Sequence, residues 1–314
     1  MIKEFRQLGE GAFPGKPVVE PVDYNTITRE EFKTAMEAVN LIKEKRGRDV
    51  KGRTCANGSN QRKYLRSDES VASPTVSTKG MIGSFVIDAY EEREIGSFDI
   101  PGAYLHANMK HDGKRVLLVL RDEFVDMMCE VNDKYKTYVK VINGRKVLYL
   151  KVLRALYGCI ESALLWYELF TSTLANMGFK VNPYDRCVAN KIIGGKQCTV
   201  VWYVDDAKVS HADKEVVTNV ISEIEKHFGK MDITYGKEHE YLGMKVKITD
   251  DKKVLIDMTD QVKEVIEYFG EEIKGSVSTP ANRNLLSIDI NSTPLDKRRK
   301  ELFHSVTARG RTLN

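Results

Sequence analysis

From Thr199 to Ser210 the chain reads Thr-Val-Val-Trp-Tyr-Val-Asp-Asp-Ala-Lys-Val-Ser, and the remaining segments are best understood by their relation to it. Five apolar residues, 200–204, run straight into two adjacent carboxylates, Asp205 and Asp206, after which strand-like composition resumes. β-Branched and aromatic residues on both sides of a short polar break read as a hairpin whose tip presents the acids. An ordinary tip favours Asn-Gly or Asp-Gly, whereas two neighbouring carboxylates repel. A divalent cation removes that repulsion, and hard oxygen ligands suit magnesium. Asp-Asp pairs are also common in solvated turns that bind nothing, so the pair acquires meaning only from the segments around it.

The 314 residues suffice for one large domain or two subdomains, with 42% hydrophobic and 30% charged residues, the balance of an ordinary globular chain. No apolar run approaches the roughly 20 residues of a membrane helix, and Met-Ile-Lys-Glu-Phe-Arg at the start lacks the apolar core of a secretory signal. Five cysteines, with no Cys-x-x-Cys pair, point to a reduced, intracellular chain without structural zinc. Net charge is only +4, but nine basic residues between Lys43 and Arg66 face two acidic ones. That segment suits a phosphate backbone or a triphosphate, or else is a solvated basic loop.

Residues 1–27 show scattered Gly and Pro without periodicity and are expected to be a poorly structured lead-in. Thr28-Arg-Glu-Glu31 has capping-box spacing and predicts an amphipathic helix over 32–45. Helices are further expected over 75–91, 161–177, 213–228 and 260–269, the third opened by Asp213 and closed by Gly229. Strands are expected at 95–100, 116–120, 147–152, 187–193, 199–204 and 207–210, with a second hairpin from 240–248 and 254–257.

The middle of the chain thus reads strand (95–100), helix (161–177), strand (199–204), strand (207–210), helix (213–228), strand (240–248). That is the β-α-β-β-α-β order of a ferredoxin-like split unit. A right-handed crossover makes its first two strands parallel, with the third antiparallel between them. Asp99, at the end of the first strand, is therefore predicted to meet Asp205 and Asp206. Three carboxylates at one sheet end suit two-metal phosphoryl or nucleotidyl transfer, which leaves polymerases, cyclases and nucleases open.

Tyr203-Val-Asp-Asp206 resembles the signature of reverse transcriptases, and its surroundings resemble the copia-type retrotransposon family. Phe98-Asp-Ile-Pro-Gly-Ala-Tyr-Leu-His-Ala107 is similar to that family's Asp-Val-Lys-Thr-Ala-Phe-Leu-Asn-Gly motif, and 153–167 resembles its Leu-Tyr-Gly-Leu-Lys-Gln-Ala-Pro-Arg-x-Trp stretch. Lys51-Gly-Arg-Thr-Cys-Ala-Asn-Gly58, Gly178-Phe179, Asp185-x-Cys187 and Tyr241-Leu-Gly-Met-Lys245 follow the family's order and spacing. The resemblance covers roughly residues 40–285.

It implies an α+β right-hand polymerase: fingers over about 28–98 and 103–160, a split-unit palm over about 95–102 and 161–250, the start of a thumb over 251–285, and a truncated tail over 286–314. It implies that Asp99, Asp205 and Asp206 are catalytic and hold two magnesium ions, with manganese as the substitute. Lys51 and Arg53 match residues that grip the triphosphate, Tyr104 the aromatic residue under the incoming sugar, and Tyr157-Gly158 a segment packing on nucleotide and template. Tyr203 and Val204 match the floor beside the primer terminus, and Leu242-Gly243 the hairpin behind the primer grip. Trp166 is expected in the core. Implied partners are an RNA template, a DNA primer, deoxynucleotides and the rest of the Pol polyprotein, with no membrane; the implied setting is cytoplasmic, in a virus-like particle.

The sequence departs from the family at Glu161-Ser162, where Gln-Ala is usual, at Leu164, where Pro is, and at Asn57, where Lys is. Ribonuclease H, protease and integrase signatures are missing, so a polyprotein fragment or the product of a decayed element is expected. Two rivals to a working polymerase stay open: an inactive nucleic-acid-binding remnant, and another two-metal nucleotidyl-transfer enzyme on the same palm.

Overall fold

The computed structural model describes residues 2–11, 15–44, 50–63, 71–110, 115–270, 275, 278–279, 287 and 291–311. The chain divides into two units, Met1–Gly236 and Lys237–Asn314.

The first unit opens with α1 (Ile2–Glu10), β1 (Val19–Pro21), α2 (Arg29–Thr34), β2 (Met36–Glu44), β3 (Val50–Ala56) and α3 (Thr78–Tyr90). It continues through β4 (Glu94–Asp99), α4 (Ala103–His106), β5 (Leu117–Arg121), α5 (Glu123–Val131), β6 (Lys140–Ile142) and β7 (Arg145–Val152). It ends with α6 (Ser162–Asn176), β8 (Lys180–Val181), β9 (Val188–Ile193), β10 (Lys196–Tyr203), β11 (Asp206–His211), α7 (Lys214–Phe228) and β12 (Asp232–Tyr235). The second unit holds β13 (Glu238–Tyr241), β14 (Met244–Ile248), β15 (Val254–Asp257), α8 (Thr259–Phe269) and α9 (Lys297–Arg311).

Two sheets make up the first unit. One has the order β1-β7-β5-β2-β3, with β6 on β7, and its core joins Leu118, Leu120, Leu148 and Leu150 to Phe5 and Leu8 of α1 and Val125 and Met128 of α5. The expected lead-in is therefore structured. The spacing of Phe5 and Leu8 puts both on one face of α1, and each is at most 1% exposed; apart from Gly9, the Gly and Pro that masked the helix come after it.

The helix expected over 32–45 is corrected as well. The Thr28–Glu31 capping box forms, with Thr28 N–H donating to Glu31 Oε2 at 2.8 Å, but α2 stops at Thr34. From Met36 the chain is a strand, paired with β3 from Ala38↔Ala56 to Glu44↔Val50 and with β5 in parallel. Ladder pairing on both sides outweighs a three-to-four apolar spacing that fits a helix only locally. Much of the basic segment, including the Lys51 side chain, lies outside the described residues.

The second sheet has the order β12-β4-β11-β10-β9-β8. β11 is antiparallel to both β4 and β10, so β4 and β10 run parallel with β11 between them. This is the split-unit topology with one correction. Its fourth strand is β12, Asp232–Tyr235, rather than 240–248. The latter pairs within the second unit, in the three-stranded order β13-β14-β15.

Alternation assigns the faces of this sheet. A Cβ on Gly96 would lie 2.5 Å from Ile221 of α7, and Phe170 of α6 packs edge-on against Trp202. Phe98, Ala207 and Val209 share that helical face. On the other, Lys208 lies over the Phe85 ring of α3 and is ion-paired with Asp88. Both side chains are at most 1% exposed, with Arg93 beside them.

Candidate active site

The hairpin closes at Tyr203↔Asp206, leaving Val204 and Asp205 as a two-residue turn. Val204 has φ 57° and is the turn's only described residue with positive φ, the pattern of a type II′ turn, where glycine is the usual occupant. A β-branched residue there is strained by about 1–3 kcal/mol. Two contacts hold it: Trp166 Nε1–H donates to Val204 O at 2.7 Å, and Ile100 N–H donates to Asp205 O at 2.9 Å. Trp166 is 2% exposed and packs on Phe170 and Phe228, so it is core, as expected, and also braces the turn.

β4 brings Asp99 to the same sheet end. Asp99 is the cross-strand partner of Asp206 on one side and of Asp232 on the other. Directly paired residues lie about 4.5–5.5 Å apart at Cα and share a face. Asp206, Asp99 and Asp232 therefore form one row of carboxylates, with Asp205 at the adjoining turn. Asp99 and Asp232 are exposed, Asp205 and Asp206 half-buried. Asp232 escaped the sequence reading because Asp-Ile-Thr-Tyr is too short and polar to announce a strand; its position 133 residues beyond Asp99 becomes meaningful only with the register.

Next to the carboxylates lies an aromatic and cationic wall. Tyr104 on α4 packs against Tyr157 with ring centroids 4.8 Å apart, and the Arg53 guanidinium sits 4.8 Å from the Tyr157 centroid. Burial, then the Asp205 charge, pushes the Tyr157 phenol up to about 12, and the same two causes raise Tyr104. Both phenols are thus neutral hydroxyls that respond to the carboxylate at the turn.

Gly158 keeps this wall in place. Its φ is 91°, a Cβ there would lie 2.0 Å from Ala56 O, and Ala56 N–H donates to Tyr157 O at 2.7 Å. The close approach expected of this glycine is made to the chain's own backbone at the end of β3, which fixes Arg53 relative to Tyr157. Leu242 and Gly243 form the β13–β14 turn of the second unit, with φ 50° and 76°. The sheet end thus unites Asp99, Asp205, Asp206, Arg53, Tyr104, Tyr157, Gly158, Tyr203 and Val204.

An all-carboxylate donor set is the chemistry a hard divalent cation takes. Among the described residues no three His, Cys, Asp or Glu side chains converge as a ready-made metal cluster. The carboxylates form an open edge.

The family described as reverse transcriptase (RNA-dependent DNA polymerase) matches residues 34–283. The chain belongs to this family. It is also 23% identical over 232 residues to the retrovirus-related Pol polyprotein from transposon TNT 1-94 of Nicotiana tabacum, a match covering 73% of this chain and 16% of that protein. The chain thus spans about a sixth of that relative's length. Similar solved structures include apo telomerase from Candida tropicalis truncated from its C-terminal domain, at TM-score 0.39 and 10% identity, covering 76% of this chain and 57% of that one. Telomerase from Candida albicans in complex with a fragment of telomeric RNA follows, at TM-score 0.37 and 9% identity, with 80% and 52% covered. In the terms of the reverse transcriptase family, the β12-β4-β11-β10 sheet is the palm of an α+β right-hand polymerase, and no helix among the described residues is long and apolar enough to cross a membrane.

Proposed function

We propose that this chain is the polymerase part of a copia-type retrotransposon polyprotein, an RNA-directed DNA polymerase that extends a DNA primer on an RNA template. The observation that carries this is the register Asp206↔Asp99, which brings the hairpin-tip acids to a third carboxylate beside a tyrosine pair and an arginine. Asp99, Asp205 and Asp206 hold the divalent ions. When bound, two magnesium ions make the primer hydroxyl a better nucleophile and neutralise charge on the departing pyrophosphate.

The chain's own residues orient the reactants. Arg53, with Lys51 on the same strand, grips the triphosphate. Tyr104 lies under the incoming sugar, where its bulk rejects a ribose 2′-hydroxyl. Tyr157 backs Tyr104 and is locked by the Gly158–Ala56 contact, while Tyr203 and Val204 form the floor beside the primer terminus. Leu242 and Gly243, in the second unit, contact the primer. The primer 3′-oxygen bonds to the α-phosphorus of the deoxynucleotide and the bond to pyrophosphate breaks. In this reading residues of about 28–98 and 103–160 are the fingers, 251–285 start the thumb, and the rest of the Pol polyprotein works alongside in a cytoplasmic particle.

A second reading, a folded but inactive nucleic-acid-binding remnant, is favoured by the open, unconverged carboxylate edge. Extension of a labelled DNA primer on an RNA template, with magnesium and deoxynucleotides, separates the two. Wild type extends and Asp205→Asn does not. Duplex binding without extension by either protein refutes the polymerase reading, and equal extension by both refutes the site.

A further inference from the structure

Tyr104 and His106 are two residues apart on α4, about 200° round a helix. Tyr104 faces Tyr157, whereas the His106 ring packs against Phe228 at 5.5 Å and Trp166 at 6.1 Å. On that opposite side is a pocket of about 180 Å³ whose titratable lining residues are Lys16, His106, Arg154 and His227, with Leu169 and Phe228 among its apolar walls. Among the described residues, all four titratable groups of the lining are basic.

Arg154 is the informative member. It follows β7 as the partner of Asn108 in an isolated bridge, and it is half-buried. Arg115, Arg121 and Arg145 each hold a carboxylate. Arg154 donates from Nη1 to His106 O at 2.8 Å and has no ion pair among the described residues. Burial lowers its pKa with no opposing cause, and His106 is lowered chiefly by burial, then by Arg154 and Lys16, against the opposing hydrogen bond to Pro101 O. Among the described residues no carboxylate relieves the Arg154 guanidinium. A partly desolvated guanidinium without a counter-ion is unfavourable, and its remaining planar donors match a tetrahedral oxyanion in geometry and charge. The pocket has several times the ~30 Å³ share of a water molecule, room for one phosphate and a little solvent.

We propose that this pocket is a phosphate-binding site, separate from the carboxylate end of the sheet, in which Arg154 receives the anion and Lys16, His106 and His227 surround it. Two sources share that chemistry: a backbone phosphate of a bound nucleic-acid strand, or free phosphate or pyrophosphate. The strand source rests on the proposed function; the anion site does not.

The test titrates the full chain with inorganic phosphate against chloride at matched ionic strength, followed by calorimetry and by the imidazole C–H resonances. Wild type binds phosphate saturably, with shifts at His106 and His227, and Arg154→Gln weakens binding by about tenfold or more. His227→Gln, at an exposed position, weakens binding several-fold without endangering the fold, and keeps the test open should Arg154→Gln misfold. Salt dependence of primer–template binding then separates the sources. A log–log slope shallower by about 0.9 in Arg154→Gln identifies a strand phosphate; an unchanged slope with lost phosphate binding identifies the free anion. Phosphate bound no better than chloride, or equally well by wild type and both variants, overturns the proposal. Because duplex binding and extension are read separately, failure of this site leaves the polymerase reading standing, and the reverse.

Discussion

Trp166→Phe isolates the brace on the hairpin tip. The change keeps an aromatic ring against Phe170 and Phe228 but deletes the indole N–H that donates to Val204 O at 2.7 Å. Loss of the hydrogen bond, leaving a part-buried carbonyl unpaired, costs about 1–3 kcal/mol. The smaller ring at a site 2% exposed adds roughly 1–2 kcal/mol of lost packing. An overall destabilisation of about 2–5 kcal/mol is expected in urea unfolding. The turn suffers a separate effect. Val204 is held at φ 57° against a strain of about 1–3 kcal/mol, comparable with the bond that opposes it. Removing about 1.4 kcal/mol lowers the population of the strained turn about tenfold, so kcat for primer extension falls by that order while KM for the nucleotide changes little. The control is Phe170→Leu, which lowers stability from the same cluster without touching the turn and keeps kcat. Hydrogen exchange at the amides of 204–206 speeds up only in Trp166→Phe. If both variants lose kcat equally, or Trp166→Phe loses stability alone, the brace is ordinary packing and the reasoning fails.

Gly158→Ala forces a Cβ to 2.0 Å from Ala56 O at φ 91°, so a loss above about 4 kcal/mol in thermal or chemical unfolding is expected, whereas Gly83→Ala, mid-helix with nothing within 4 Å, gains up to about 1 kcal/mol. The Glu31 carboxyl is held at about 2, below its ordinary 4.5, chiefly by its hydrogen bonds from Arg115 against opposing burial. Its folded value lies below its unfolded one, so its stabilisation is present above about pH 4.5 and lost as pH falls towards 2; the gap in Tm between wild type and Glu31→Gln should close over that range. Burial pushes the thiols of Cys159, Cys187 and Cys198 up to about 12, while Cys55 is half-buried. Iodoacetamide at pH 8 should therefore modify Cys55 first, with the other four, including buried Cys129, reacting only after unfolding, as read by peptide mass spectrometry.

The palm was legible because its signals are local and strong. A continuous apolar run marked β10, strand-like composition marked β4 and β11, Asp213 accepts from Glu215 N–H as the cap of α7, and Gly229 ends that helix. Topology then carried Asp99 to Asp206 without further information. What stayed hidden depends on partners. β2 places Phe32-like helical spacing into a ladder that only β3 and β5 reveal. β12 went unread because four residues, Asp-Ile-Thr-Tyr, are too few to announce a strand, although Ile, Thr and Tyr suit the edge that β4 offers. The wall of Arg53, Tyr104 and Tyr157 was legible as three members of separate motifs, but its cation–ring contact follows from Gly158 meeting Ala56. Arg154 and His106 were visible as letters within the motifs; their shared pocket was not, because no spacing rule relates a short helix to the residue after a distant strand.

β4 lies between β11 and β12, and both neighbours come late in the chain. Asp99 waits for Asp206 and then for Asp232, 107 and 133 residues further on. At about 5–20 residues per second of synthesis, the strand passes roughly 5–21 seconds without a partner on either edge. Its apolar Ile95 and Phe98 and its unpaired amides are open throughout to other nascent strands. The order of birth thus opposes the order of assembly: an inner strand of the palm is exposed to misassociation until its late neighbours arrive, and a chaperone that shields it until residue 235 has emerged would raise the yield of folded protein.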